Sequence, residues 1–187
     1  MTALSFGKLE EAYIFVFENA KELLEESRLL FDNKRYARCY ALAQFAHEEL
    51  AKLPIIYQEA TRFFFKEGHD WKTFYKRLRS HESKNKQDFA FYSIMFDMTG
   101  TDHSVFKMNK LKENLKNVND LKNFSIYADV KNTNFTKPSI EMKKHLAEVH
   151  LELVEEMFNT YSLTGFHIKG GIKKSLDSDR AKLKREL

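Results

Sequence analysis

The stretch Lys76-Arg77-Leu78-Arg79-Ser80-His81-Glu82-Ser83-Lys84 gathers the side chains that handle phosphates. An imidazole takes and gives protons near neutral pH, and a guanidinium presents a planar fork of donors to an anionic oxygen. On a helix, Arg77 and His81 lie one turn apart on one face, and Lys84 follows three residues later. Such a set suits cleavage of RNA without a metal. The 2′-hydroxyl attacks the neighbouring phosphate, with His81 as acid or base and Arg77 or Arg79 stabilising the phosphate charge. Basic helix faces also arise simply to keep a protein soluble, so this spacing needs support from elsewhere in the chain.

A second polar set, His47-Glu48-Glu49-Leu50-Ala51-Lys52, sits inside an otherwise apolar segment. Glu49 shares a helical face with Leu42, Ala46, Leu53 and Ile56, where a carboxylate is costly unless paired. Glu48 and Lys52 are four apart, in the favourable order for an ion pair along a helix. Two readings follow: a structural salt bridge at a helix junction, or a polar cluster of Glu48, Glu49 and Lys52 that orients catalytic groups on a neighbouring helix. Asn19 interrupts the stripe Ala12, Val16, Leu23, Leu30, and an amide buried there must find hydrogen-bond partners. It is expected to organise the core.

Other chemistries have less to build on. His145, Glu148 and Glu152 can line one helix face, but the Glu-x-x-His pairs of a di-iron bundle do not occur in the chain. A single cysteine, Cys39, excludes a thiolate zinc cluster and an intramolecular disulfide within one chain, and fits a reducing compartment. There is no glycine-rich phosphate loop and no nucleophile elbow. No cofactor and no obligatory metal are therefore expected. The apolar runs Tyr13–Phe17 and Phe89–Phe96 are far shorter than the roughly 20 residues of a membrane span. The start of the chain lacks the basic residues of a secretion signal, so a cytoplasmic location without membrane contact is expected.

The formal net charge is only +4, but it is unevenly spread. Basic runs occupy Trp71 to Phe89, Lys107 to Lys122 and the tail from Lys169 to Arg185, while the first third is nearly balanced or acidic. A polyanion is a reasonable partner for such surfaces. Solvation alone is the simpler explanation.

The elements that must position these groups read as helices. With 6 Gly and 2 Pro in 187 residues, the chain has few of the tight turns that a β-rich fold needs. The 17 Phe predict a bulky core. The apolar spacing predicts helices over 6–31 and 35–67, the latter kinked at Pro54, joined through Asp32-Asn33 as an antiparallel hairpin. Gly68 ends that pair. Further helices are expected over 71–98, over 107–121, and from Pro138 to Tyr161, with Phe124 to Phe135 as irregular loop. Gly165, Gly170 and Gly171 close a domain of residues 1–165, and a basic tail of residues 166–187 follows, either a short helix or disordered.

In order, Asn19-Ala20, Arg35-Tyr36-Ala37-Arg38, Glu48-Glu49-Leu50-Ala51-Lys52, Trp71, Arg79-Ser80-His81-Glu82-Ser83-Lys84, Leu121-Lys122-Asn123 and Tyr127-Ala128-Asp129 precede Pro138. This ordered set resembles the AbiV family of abortive infection proteins, a branch of the HEPN superfamily, over roughly residues 10 to 165. The resemblance implies an all-α, HEPN-like bundle of long antiparallel helices that works as a homodimer. It also implies an effector that blocks phage multiplication at the infected cell's expense after a phage component, such as a phage-encoded protein, triggers it. Many such proteins are ribonucleases, which makes RNA or the ribosome the expected target and arrest of translation the expected outcome. The alternative is a non-catalytic protein that blocks RNA, a ribosome or a protein partner by occupancy. The superfamily's usual signature is Arg, four to six residues, then His. Here three residues separate Arg77 from His81, Arg79 is closer still, and the position with four intervening residues is Lys76, which keeps the charge but not the fork.

Overall fold

Leu9, Tyr13, Phe17, Ala20 and Leu24 repeat at three- and four-residue intervals, and this stripe is the buried face of helix α1, Phe6–Asp32. The computed structural model describes residues 2–80, 118–131 and 134–186. His81 and Lys84, the expected helix beyond residue 80 and most of the one expected over 107–121 lie outside the described residues. The described helices are α1, α2 (Tyr36–Leu50), α3 (Leu53–Phe64), α4 (Trp71–Arg79), α5 (Val118–Ile126), α6 (Pro138–Glu141), α7 (Lys144–Leu163) and α8 (Gly171–Glu186). One two-stranded hairpin, β1 (Asp129–Lys131) and β2 (Asn134–Thr136), lies between α5 and α6. The fold is all-α.

Asn19 falls one position off the buried stripe and is exposed, which corrects the expectation of a core amide. The true centre of the face runs through Tyr13, Phe17 and Ala20, and a helical step of about 100° carries Asn19 to solvent. Asn19→Ala is accordingly expected to change stability by less than about 0.5 kcal/mol in a urea melt. A loss of about 2 kcal/mol would restore the core role.

The described residues fall into two units, one of residues 2–20, 48–80 and 158–186, the other of 21–47 and 118–157. In the first, Leu50, Leu53, Ile55, Ile56, Phe74, Tyr161, Ile172 and Leu176 are buried with the first half of α1. Aromatic contacts tie its segments together. Phe166 meets Tyr13 edge-on at 6.1 Å and stacks on Tyr57 at 4.7 Å, and Phe17 stacks on Phe158 at 4.6 Å. The basic tail is helical here. Ile172 and Leu176 anchor α8, and the Glu10 carboxylate accepts a hydrogen bond from the Lys173 backbone N–H at 3.0 Å, supplying negative charge to the helix start.

In the second unit, buried Ala37, Ala41, Ala43 and Ala46 make α2 thin enough for close neighbours, as their size suggested. Ser27 Oγ donates to the Cys39 carbonyl at 2.8 Å, joining α1 to α2. The Arg28 guanidinium grips the Glu155 carboxylate of α7 with two donors, Nε at 2.9 Å from Oε1 and Nη2 on Oε2. Arg38 Nη1 donates to the carbonyls of Ser125 and Ile126, satisfying the end of α5. Leu151, Val154 and Met157 of α7 fill the core, with His150 stacked on Tyr40 at 4.5 Å.

Three expectations about segment boundaries change. The segment 35–67 is two helices instead of one kinked helix, broken at Ala51-Lys52. Pro54 has no N–H for the Leu50 carbonyl, so the helix stops and restarts with proline in its first turn, a position that tolerates it. The helix expected from Pro138 likewise stops at Glu141 and resumes at Lys144. Residues 124–135 are not irregular throughout: α5 runs to Ile126, and Val130 pairs with Phe135 in the hairpin.

Candidate functional site

Asp70 starts α4. Its carboxylate accepts from the Thr73 backbone N–H at 3.0 Å and from the Thr73 hydroxyl at 2.6 Å, an N-cap that also holds its pKa below the usual carboxylate range. Phe74 alone of this helix is buried, so the remaining face carries Lys72, Lys76 and Arg79 into solvent. The cations of its last turn, Lys76, Arg77 and Arg79, suit the negative end of the helix. Helix α4 ends at Arg79, and Ser80 is extended at ψ 118°. The helical step expected to align Arg77 with His81 therefore does not continue through Ser80.

Arg77 leaves the solvent face and turns toward α3. Its Nη2 donates to Gln58 Oε1 at 2.9 Å. Partial burial, followed by the positive charge of Arg62, lowers its pKa, and the Glu59 carboxylate works in the opposite direction.

Glu59 is the centre of this neighbourhood. It is 2% exposed, a costly place for a carboxylate without partners. His69 Nδ1 lies 2.6 Å from Glu59 Oε1, and Arg62 Nη1 lies 3.8 Å from Glu59 Oε2. The His69 ring stacks on Trp71 at 5.1 Å and leans on Phe63 at 5.3 Å. A turn makes this possible. Lys66, at φ 59°, reverses the chain after α3, with Glu67 N–H on the Arg62 carbonyl at 2.9 Å. Lys66, not Gly68, supplies the left-handed residue that ends this helix.

Of the residues expected from sequence, the structure brings Arg77 into contact with α3 and leaves Arg79 exposed at the helix end. Glu48 is buried on α2. Lys52 Nζ pairs with Glu49 Oε1 at 2.5 Å, three residues back. Glu59, Arg62 and His69 were not anticipated. The only hint was Glu59-x-x-Arg62 at ion-pair spacing, and nothing in the sequence placed His69 against it. Among the described residues, no three His, Cys, Asp or Glu side chains converge as metal ligands, and no helix is long and apolar enough to cross a membrane.

A family model described as AbiV, of the HEPN type, matches residues 8–159 of this chain. No curated protein and no solved structure matches it.

Proposed function

Because the chain belongs to the AbiV family, a HEPN-type family of abortive infection, we propose that it is an antiphage effector that cuts RNA without a metal and so arrests translation in infected cells. In this reading it acts in the cytoplasm as a homodimer, on free RNA or the ribosome, once a phage-encoded component activates it. His81 serves as the acid–base group and Arg77 holds the phosphate. Arg79 and Lys84 add positive charge, and Glu48, Glu49 and Lys52 give support from the neighbouring helix.

The observation that carries this reading is the setting of Arg77. Lys72, Lys76 and Arg79 of α4 are exposed, yet this one guanidinium is partly withdrawn and anchored by Gln58 at 2.9 Å. One anchored donor of five fixes a guanidinium's plane while leaving further donors for a phosphate.

Sequencing of RNA ends in cells with wild-type or His81→Ala protein, with and without phage, tests it. New ends are expected only with wild-type protein during infection, and at least about 100-fold fewer with His81→Ala, the usual loss when an acid–base group is removed. A folded His81→Ala protein that still produces those ends rules the mechanism out. Intact RNA beside blocked translation instead favours inhibition by occupancy, for which the exposed Lys72, Lys76 and Arg79 offer a docking face for a polyanion.

A further inference from the structure

Four cations line one cavity of the second unit, and no carboxylate among the described residues joins them. The cavity, of about 330 Å³, lies where the start of α2 meets the start of α6, and Lys34, Arg35, Arg38 and Lys137 border it. Buried Ala37 and Met142 give it an apolar wall. Its volume falls at the small end of ligand sites, which run from roughly 300 to 1,000 Å³. A left-handed Lys34, at φ 60°, brings the Arg35 N–H to the Leu30 carbonyl at 2.8 Å, so α1 closes and α2 opens with two cations at the junction. Lys34, Arg35 and Lys137 pair with no carboxylate among the described residues. Arg38 is held by backbone instead. Its Nη1 donates to the Ser125 carbonyl at 3.0 Å and the Ile126 carbonyl at 2.9 Å, which fixes its plane and leaves the Nε and Nη2 donors uncommitted. The first N–H groups of α2, from Tyr36, Ala37 and Arg38, also lack an acceptor among the described residues. Like charges around one cavity repel each other, so a bound anion is favoured both by attraction and by relief of that repulsion.

We propose that this cavity binds a terminal phosphoryl group, that of a phosphate monoester or, more tightly, of a diphosphate. A carboxylate would bring one charge and two oxygens to four cations. A phosphate monoester brings about −1.5 to −2 at neutral pH and three terminal oxygens, enough to engage guanidinium forks, ammonium groups and backbone N–H groups together. A phosphodiester inside a strand carries a single charge and two substituents, both of which would have to leave the cavity. Arg35 and Arg38 take the oxygens through their forks, and Lys34 and Lys137 complete the charge balance. This binding site is independent of the ribonuclease reading and involves no cleavage.

The full-length protein is titrated with pyrophosphate by calorimetry, at physiological ionic strength and with divalent cations removed. Saturable binding is expected, weakened at least about tenfold in Arg35→Gln and in Lys137→Gln, and less than about twofold in Lys21→Gln, which removes an equal charge from exposed α1 surface. Arg35 and Lys137 are exposed and pair with no described carboxylate, so both variants should keep the wild-type urea midpoint. Arg35→Lys keeps the charge, loses the fork and should fall between wild type and Arg35→Gln. Competition identifies the source of the phosphoryl group. Displacement of pyrophosphate by a 5′-phosphorylated dinucleotide but not by its 5′-hydroxyl form supports the end of an RNA strand. Displacement by neither supports a free diphosphate. Equal displacement by both dinucleotides, or by citrate at the same concentration as pyrophosphate, overturns the terminal phosphoryl assignment. Failure of pyrophosphate to bind, or binding unchanged in Arg35→Gln and Lys137→Gln, overturns the site.

Discussion

Gly171→Ala is expected to destabilise the protein by about 2 kcal/mol and to release α8 from its unit. A Cβ at this position would lie 2.2 Å from the Gly165 carbonyl oxygen, 3.1 Å from its carbonyl carbon and 3.2 Å from Phe166 Cα. All three are backbone atoms, which cannot swing aside as a side-chain tip can. Alanine is the better helix former by up to about 1 kcal/mol, so the substitution tests which effect wins. The clash should win, because relieving it means moving α8 and loosening Ile172 and Leu176, each worth about 1.5–3 kcal/mol when fully buried. A lower urea midpoint and faster amide exchange across 172–182 are the signs to look for. Gly7→Ala is the comparison, since nothing lies within 4 Å of a Cβ there and the helix should gain slightly or stay unchanged. An unaltered midpoint in Gly171→Ala would show that the 165–171 turn yields easily.

Acidification should have a comparable cost through His150. This ring is buried, stacked on Tyr40, and its Nε2 has no hydrogen-bond partner among the described residues. Burial first, and then the nearby His47, push its pKa down to about 3. In the unfolded chain a histidine titrates near 6.5, so below that pH the unfolded state binds a proton that the folded state refuses. His150 therefore imposes no penalty above about pH 6.5, and stability falls as pH drops from there toward 3. Between pH 7.5 and 5.0 the loss is about 2 kcal/mol, at about 1.4 kcal/mol per pH unit. His150→Leu removes the titrating group and should flatten this slope in urea melts at the two pH values. If the variant loses the same 2 kcal/mol, the pH dependence belongs to other groups.

The candidate site was legible only in part, and the reason lies in how each residue enters it. Arg77 stood out because it belongs to a basic stretch contiguous in sequence. Glu59 was unremarkable on α3, and His69 sat in a short connection ten residues later with no periodicity to mark it. Their contact at 2.6 Å depends on the reversal at Lys66, a conformation that side-chain type does not announce. Helix ends were misjudged for a related reason. Periodicity tells which face a residue occupies, but the choice between a bent helix and a broken one at Pro54 depends on whether the surroundings satisfy the freed Leu50 carbonyl.

Scarce Gly and Pro, abundant Phe and the three- to four-residue spacing of apolar side chains determined by themselves that this chain would be helical, because burial of one helix face is a local property of the sequence. The ordered segments from Asn19 to Asp129 likewise sufficed to identify the family. Only the tertiary structure decided that Asn19 faces water, that Lys52 pairs with Glu49, that the basic tail docks as α8, and that Glu59 gathers Arg62 and His69 beside Arg77. Each of these is a choice among partners that the sequence leaves equally available. Packing and the desolvation of a buried charge make that choice, and neither exists until the chain has folded.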